Sequence, residues 1–267
     1  MGKTLIITTA GINCDRELAE AFALAGATPE SRHLNELMAD PAIIDAYDLI
    51  GIPGGFSYGD AVAAGRVAAQ LMRHALYPAF VRAIERGVPI IAPCNGFQIA
   101  VQMGLLPGGG NDGVLPSEPP AATVTLAVNE SARFVDRWTR IEIPAETRCV
   151  WTRGVTLGDE TSLLPVAHGE GRFIPQSSAL LAELESRGQV AVRYAADDNP
   201  NGSVGAVAGI CDPTGLVLGL MPHPERYTRW TQHPWWTRLN AADRAGDPPG
   251  LQMFRNAVTH AARCAAV

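Results

Sequence analysis

Cys94 lies in "IIAPCNGFQIA", between an apolar run and a helical pattern, with Asn95 and Gly96 directly behind it. That spacing predicts a sharp strand-to-helix turn. Such a turn lifts a thiol out of a sheet and places it at a helix N-terminus, where the partial positive charge stabilises a thiolate. It also aims the Asn95 N–H at a carbonyl oxygen under attack, which is nucleophile-elbow logic with sulfur in place of oxygen. A cysteine nucleophile needs a base, and the base needs an orienting carboxylate. His223 and Glu225 in "LGLMPHPERY" offer both. Prolines fix the backbone on either side of the histidine, and a spacing of two puts both side chains on one side of an extended segment. Taken singly, each feature has a plainer reading: a packed core thiol, or an exposed histidine beside an exposed glutamate.

A second strand end is expected at "GIPGGFSYGD", where Gly54 and Gly55 leave backbone N–H groups unshielded. These suit the other half of an oxyanion hole, with a simple tight turn as the alternative. His168 in "PVAHGEGRF" is a competing base. Its flanking glycines and Arg172 read as a polar loop contacting a ligand or partner, and with no apolar strand feeding it His168 ranks below His223. His33, His74, His233 and His260 have no comparable neighbours. Five cysteines (Cys14, Cys94, Cys149, Cys211 and Cys264) are scattered without a CxxC pair, so metal-ligand spacing is absent and a reduced, cytoplasmic protein is expected.

The elements that must position these residues follow from hydrophobic periodicity. "TLIITT", "YDLIGIPGG" and "VPIIAP" read as buried strands. Between them, Leu18, Phe22 and Ala25 mark one helix face stopping at Gly26, Phe80 and Ile84 mark another near Gly87, and "FQIAVQM" is a short helix halted by Gly104. Strands alternating with helices imply a doubly wound, mostly parallel sheet. The second half reads differently: "TVTLAVNES", "DRWTRIEI", "QVAVRY" and "GAVAGICDPTGLVLGLMP" are strands with tight turns, expected as an antiparallel extension. Leu251, Phe254, Val258 and Ala261 give a closing helix. "GLLPGGGNDGVLPSEPP" is the Gly/Pro-rich loop of note, and no repeat or linker divides the chain, so residues 1–267 read as one domain with a Trp-rich insertion at 227–250. Trp230, Trp235 and Trp236 there either fold back over the sheet or, with Arg226, Arg229 and Arg238, stay exposed as anchors for a partner.

Composition excludes several functions. The formal net charge of −6 over 267 residues argues against a nucleic-acid or anionic-membrane surface. Lys3 is the sole lysine, so a GxxxxGK[ST] phosphate loop is impossible. No apolar run approaches a membrane span.

Together these pieces resemble the triad glutamine amidotransferases, which release ammonia from glutamine through a cysteine thioester. "NCDRE", "GIPGGFSYGD", "PCNGFQ", "AHGEGR", "NPNGS" and "LMPHPER", in this order from about Leu5 to Arg226, are similar to the glutaminase subunits of phosphoribosylformylglycinamidine synthases. The resemblance implies an α/β, flavodoxin-like class I amidotransferase fold, with Cys94 as nucleophile, His223 as base and Glu225 as its orienter. It further implies that Gly54, Gly55, Phe56 and Asn95 serve the oxyanion and glutamine site, with Gln98, Asn129 and Ser131 as glutamine contacts. No cofactor or metal is expected in this chain. ATP and magnesium belong to a partner synthetase subunit, and a small accessory subunit is a possible third component. A stand-alone cysteine hydrolase on the same sheet and a non-catalytic regulatory subunit are the alternatives. The sequence departs from the family in "TTAGINCD" before the first glycine loop, in Phe173 where tyrosine is common, and in the Trp-rich stretch.

Overall fold

The computed structural model of the protein describes residues 2–109 and 115–264. The middle of the expected Gly/Pro-rich loop, residues 110–114, lies outside the described residues. The first half alternates strands and helices in chain order: β1 (Lys3–Thr8), α1 (Asp15–Ala25), β2 (Thr28–His33), α2 (Leu34–Ala39), β3 (Leu49–Gly51), α3 (Arg66–Ala75), α4 (Tyr77–Glu85), β4 (Ile90–Pro93) and α5 (Asn95–Met103). The second half holds β5 (Val124–Val128), β6 (Val135–Glu142), β7 (Leu163–His168), β8 (Glu170–Pro175), α6 (Ser178–Ser186), β9 (Val190–Tyr194), β10 (Val207–Cys211), β11 (Val217–Leu220) and α7 (Pro249–Cys264).

Among the described residues, nine strands form one sheet in the order β2-β1-β3-β4-β11-β10-β9-β6-β7, and β5 pairs with β8 in a separate ribbon. The pairs from β2 to β11 are parallel. Those from β11 to β7 are antiparallel. The doubly wound sheet with an antiparallel extension is therefore present. Alternation along the central strands divides the core between the two faces. Leu5, Ile7, Ile50, Ile90 and Ala92 join the layer that includes Met72, Phe80 and Phe97. Ile6, Leu49, Ile91, Leu218 and Leu220 join the layer of α1 and α7. In that second layer Phe22, Trp151 and Phe254 meet edge-on, with centroids 5.1 to 6.0 Å apart, a favourable arrangement for ring quadrupoles. No helix among the described residues is long and apolar enough to cross a membrane.

Two strands escape the periodicity. β2, "TPESRH", is polar on both faces, because it is an edge strand paired in register only with β1. Its Pro29 is tolerated at an edge. β7 corrects the expectation of a polar loop at His168: an apolar strand, Leu163 to Val166, feeds the histidine directly, and β8 begins two residues beyond it. Pro165 inside "LLPVAH" masks the strand pattern, and β7 tolerates it at the far edge of the sheet.

The Trp-rich insertion splits between its two expected roles. Tyr227 is buried, and Trp230 packs on it edge-on at 5.9 Å while donating its indole N–H to the Gly246 carbonyl. Trp235 and Trp236 each remain 38% exposed. Trp230→Ala should therefore cost about 2 kcal/mol, a half-buried share of the usual Trp→Ala loss. Trp235→Ala with Trp236→Ala together should cost under about 1 kcal/mol, as partly exposed substitutions do. Urea unfolding of both variants checks the order; a larger loss in the double variant would mean those rings cap the core.

Candidate active site

Parallel strand ends converge on Cys94. β11 runs beside β4 with Leu220 opposite Pro93, so the residues that follow each strand emerge side by side. Cys94 adopts φ 51° and ψ −110° between β4 and α5. Its N–H donates to the Leu220 carbonyl at 2.8 Å, and its own carbonyl accepts from Phe97 and Gln98, opening the helix. The turn closes because residue 96 is glycine: a Cβ there would sit 2.0 Å from the Ile52 carbonyl oxygen. Three residues past β11, the His223 N–H donates to the Pro165 carbonyl of β7 at 2.8 Å. Cys94 Sγ lies 3.6 Å from the Ala167 carbonyl, so the end of β7 lies over both strand ends.

His223 and Glu225 are buried, and Nδ1 of the ring donates to Glu225 Oε1 at 2.6 Å. Burial opposes a charge on His223, yet Glu225 and the flanking thiols Cys94 and Cys14 outweigh it and hold its pKa well above the ordinary value. That favours an imidazolium with Nδ1 fixed on the carboxylate and Nε2 left over; Nε2 has no hydrogen-bond partner among the described residues. Behind the pair, the start of α7 presses on this segment. A Cβ at Gly250 would meet the Pro224 carbonyl at 2.2 Å and that of Tyr227 at 2.4 Å.

A cavity of about 130 Å³ opens on Cys94, lined by Gly55, Phe56, Asp60, Gln98, Phe134, His168 and Glu170 among others. Two larger clefts, about 510 Å³ beside Arg66 and about 630 Å³ beside Trp235, do not include Cys94 or His223. The structure thus brings Cys94, Gly55, Phe56 and Gln98 to one cavity. Gly54 lies behind it, where a Cβ would be 3.0 Å from His223 Cε1. The backbone N–H groups of Gly55 and Asn95 carry no hydrogen bond among the described residues, whereas Phe56 N–H is taken by the Gly11 carbonyl at 2.9 Å. The Asn95 side chain donates to Asp60 at 3.1 Å and to Gln98 at 2.8 Å, and accepts from Ser57 N–H. Gln98 in turn donates to the Glu170 carbonyl. These amides brace the cavity wall.

Asn129 and Ser131 do not line the cavity. Asn129 donates to the carbonyls of His168 and Arg133, and its Oδ1 accepts from Gly171 N–H and His168 Nδ1. Among the described residues, Ser131 Oγ accepts from Arg133 N–H. Because Asn129 Oδ1 is an acceptor, the His168 proton sits on Nδ1, and Nε2 keeps a lone pair with no partner. Burial first, then the charge of His223, lowers the His168 pKa to about 4. His168 is a neutral acceptor on the cavity wall.

Sequence reasoning passed over Asp60, Glu170, Phe134 and Cys14. Asp60 and Glu170 lie within the quoted "GFSYGD" and "HGEGR", so their acidity was the available signal. Burial raises the Asp60 pKa, and Glu170 adds to the rise. Phe134 carried no signal, since its stacking on Phe56 at 6.4 Å is a long-range contact.

Comparisons with known proteins find relatives across most of the chain. Residues 2–261 match the CobB/CobQ-like glutamine amidotransferase domain. The chain is 40% identical to the phosphoribosylformylglycinamidine synthase subunit PurQ of Dehalococcoides mccartyi, over 96% of each chain. It is 38% identical to the PurQ subunit of Treponema denticola, over 84% of this chain and 87% of that one. Among solved structures it is similar to a chain of PurLQS from Thermotoga maritima, with a TM-score of 0.68, 29% identity and coverage of 97% and 99%. A glutamine amidotransferase from Thermotoga maritima shares the fold at 10% identity, with a TM-score of 0.54. With a thiol on a strand-to-helix turn beside a buried His–Glu pair, and a match across nearly its whole length, the chain belongs to the CobB/CobQ-like glutamine amidotransferase family.

Proposed function

We propose that this chain is the glutaminase subunit of phosphoribosylformylglycinamidine synthase. It hydrolyses glutamine to glutamate and ammonia, and a synthetase subunit uses that ammonia, with ATP, to convert formylglycinamide ribonucleotide to formylglycinamidine ribonucleotide in purine biosynthesis. The observation that carries this is the His223–Glu225 pair, buried with Nδ1 and Oε1 2.6 Å apart, at the strand end beside Cys94. Similarity to PurQ subunits over 84% and 96% of this chain narrows the amidotransferase to this pathway. The whole of 1–267 acts as one amidotransferase domain. Five unbridged cysteines suit the reducing cytoplasm.

The chemistry is acyl transfer. Cys94 sulfur attacks the side-chain amide carbon of glutamine, and the Asn95 and Gly55 N–H groups hold the oxygen as it becomes negative. His223 gives a proton from Nε2 to the departing nitrogen, so ammonia leaves and a γ-glutamyl thioester remains. A water then attacks the thioester carbon, His223 takes its proton, and the C–S bond breaks to release glutamate. Glu225 holds the ring and balances its charge throughout. The carboxylates of Asp60 and Glu170, on the wall of the same cavity, suit the α-ammonium group of glutamine, and the neutral Nε2 of His168 accepts a further N–H of the substrate. The chain needs no cofactor for these steps. ATP and magnesium act on the synthetase, and a small third subunit fits the composition of the PurLQS assembly.

Cys94→Ala should abolish glutamine-dependent synthesis in the reconstituted complex while leaving synthesis from added ammonium intact. Glu225→Ala should be milder than Cys94→Ala by one to two orders of magnitude, by analogy with about 2 × 10⁶-fold against 3 × 10⁴-fold in a serine-protease triad. Equal loss with ammonium would make Cys94 structural. Fast hydrolysis by the free subunit, unchanged by the synthetase, would instead favour a stand-alone hydrolase.

His168 makes a pH prediction. Its folded pKa, about 4, lies below the unfolded value near 6.5, so the unfolded chain binds the proton first. Stability from this group is complete above about pH 6.5 and falls away between there and pH 4, by about 3 kcal/mol. Urea unfolding across that window should show a shallower acid loss in His168→Gln; identical slopes would refute the neutral assignment.

A further inference from the structure

His223 is flanked by two thiols, and the reaction uses one. Cys14, at the start of α1, is buried and reaches the ring from beyond the end of β1, at the same edge of the sheet. One donor atom each from Cys14, His223 and Glu225 lie within 4.8 Å of one another. Two atoms of this group, His223 Nε2 and Glu225 Oε2, are buried with no hydrogen-bond partner. Cys14 Sγ accepts from Arg226 Nη2 at 3.0 Å, and that guanidinium is itself met by Glu17 at 3.7 Å, which offsets the positive charge facing an incoming cation.

A sulfur, an imidazole and a carboxylate form a borderline-soft donor set. It suits Zn²⁺ and is poor for Mg²⁺ or Ca²⁺, which take oxygen. We propose that Cys14, His223 and Glu225 are a binding site for a thiophilic divalent cation, Zn²⁺ above all, and that its occupancy switches off glutamine hydrolysis. On binding, Cys14 and the His223 imidazolium each release a proton to solvent, and the donors draw in to ligand distances of about 2.0–2.3 Å. The ring that serves Cys94 is then held by the metal, so the thiol loses its base. The ligands come from opposite ends of the chain, which is why no metal spacing shows in the sequence. The inhibition rests on the glutaminase reading above; the binding does not.

Cobalt(II) titration of the full chain tests the site through thiolate-to-metal absorption, with Zn²⁺ as competitor. A Cys264→Ser background removes a second thiol, exposed and 3.4 Å from His260 Nε2. One cation per chain is expected, with thiolate absorption that survives Cys94→Ala. Cys14→Ala, or Cys14→Ser if the alanine variant does not fold, should weaken binding by no less than the roughly 10- to 100-fold that loss of an outer-shell partner costs. Zn²⁺ should abolish glutamine-dependent but not ammonium-dependent synthesis, reversibly with a chelator. Unchanged affinity in the folded Cys14 variants overturns the site, as does absorption lost with Cys94→Ala. Binding without inhibition removes the switch, and binding in a chain that hydrolyses no glutamine would sink the glutaminase reading while leaving the site intact.

Discussion

The structure depends on a backbone forced into an unfavourable region at one residue. Cys94 at φ 51° is a non-glycine residue in left-handed space, a conformation that costs about 1–3 kcal/mol and persists only when its surroundings over-determine it. Here they do. The Cys94 N–H is fixed on β11, its carbonyl opens α5, and Gly96 lets that helix start against the backbone of Ile52, just past β3. Strain and position have the same cause: the close approach that raises the energy of the turn also sets the sulfur at a helix N-terminus, beside the histidine that follows β11.

Two imidazoles near this thiol are driven to opposite states. Both are buried, which alone would keep both neutral. Glu225, at 2.6 Å, overrides burial at His223. Among the described residues no carboxylate does so at His168, whose ring proton goes to the Asn129 amide, and the positive charge of His223 suppresses a second one nearby. One charged donor and one neutral acceptor thus stand near the same thiol, each held in its state by the groups around it.

The far side of the His–Pro–Glu segment is held by packing. Tyr227 is buried under Trp138 and Trp230, and the first turn of α7 meets the carbonyls of Pro224 and Tyr227. The Trp-rich insertion thereby buttresses the His–Pro–Glu segment with its inner rings, while Trp235 and Trp236 stay at the surface.

The sequence by itself determined the central strands, the helices with a regular apolar face, and the three residues of the His–Glu and Cys elements, because each is written in local spacing: apolar periodicity, a glycine after a helix, Pro–His–Pro–Glu behind a strand. The family resemblance extended this to the amidotransferase fold. Tertiary structure decided what local spacing cannot encode. β2 owes its pairing to β1 and not to its own polar residues. β7 was hidden by Pro165, and with it the strand that carries His168. The resemblance assigns Asn129 and Ser131 to the glutamine site, and only the structure shows that Asn129 also fastens His168. Asp60, Glu170, Phe134 and Cys14 reach the cavity or His223 only because strand ends distant in sequence meet at one edge of the sheet. Hydrophobic patterning records which face of an element is buried; it holds no record of which distant loop lies across the strand ends.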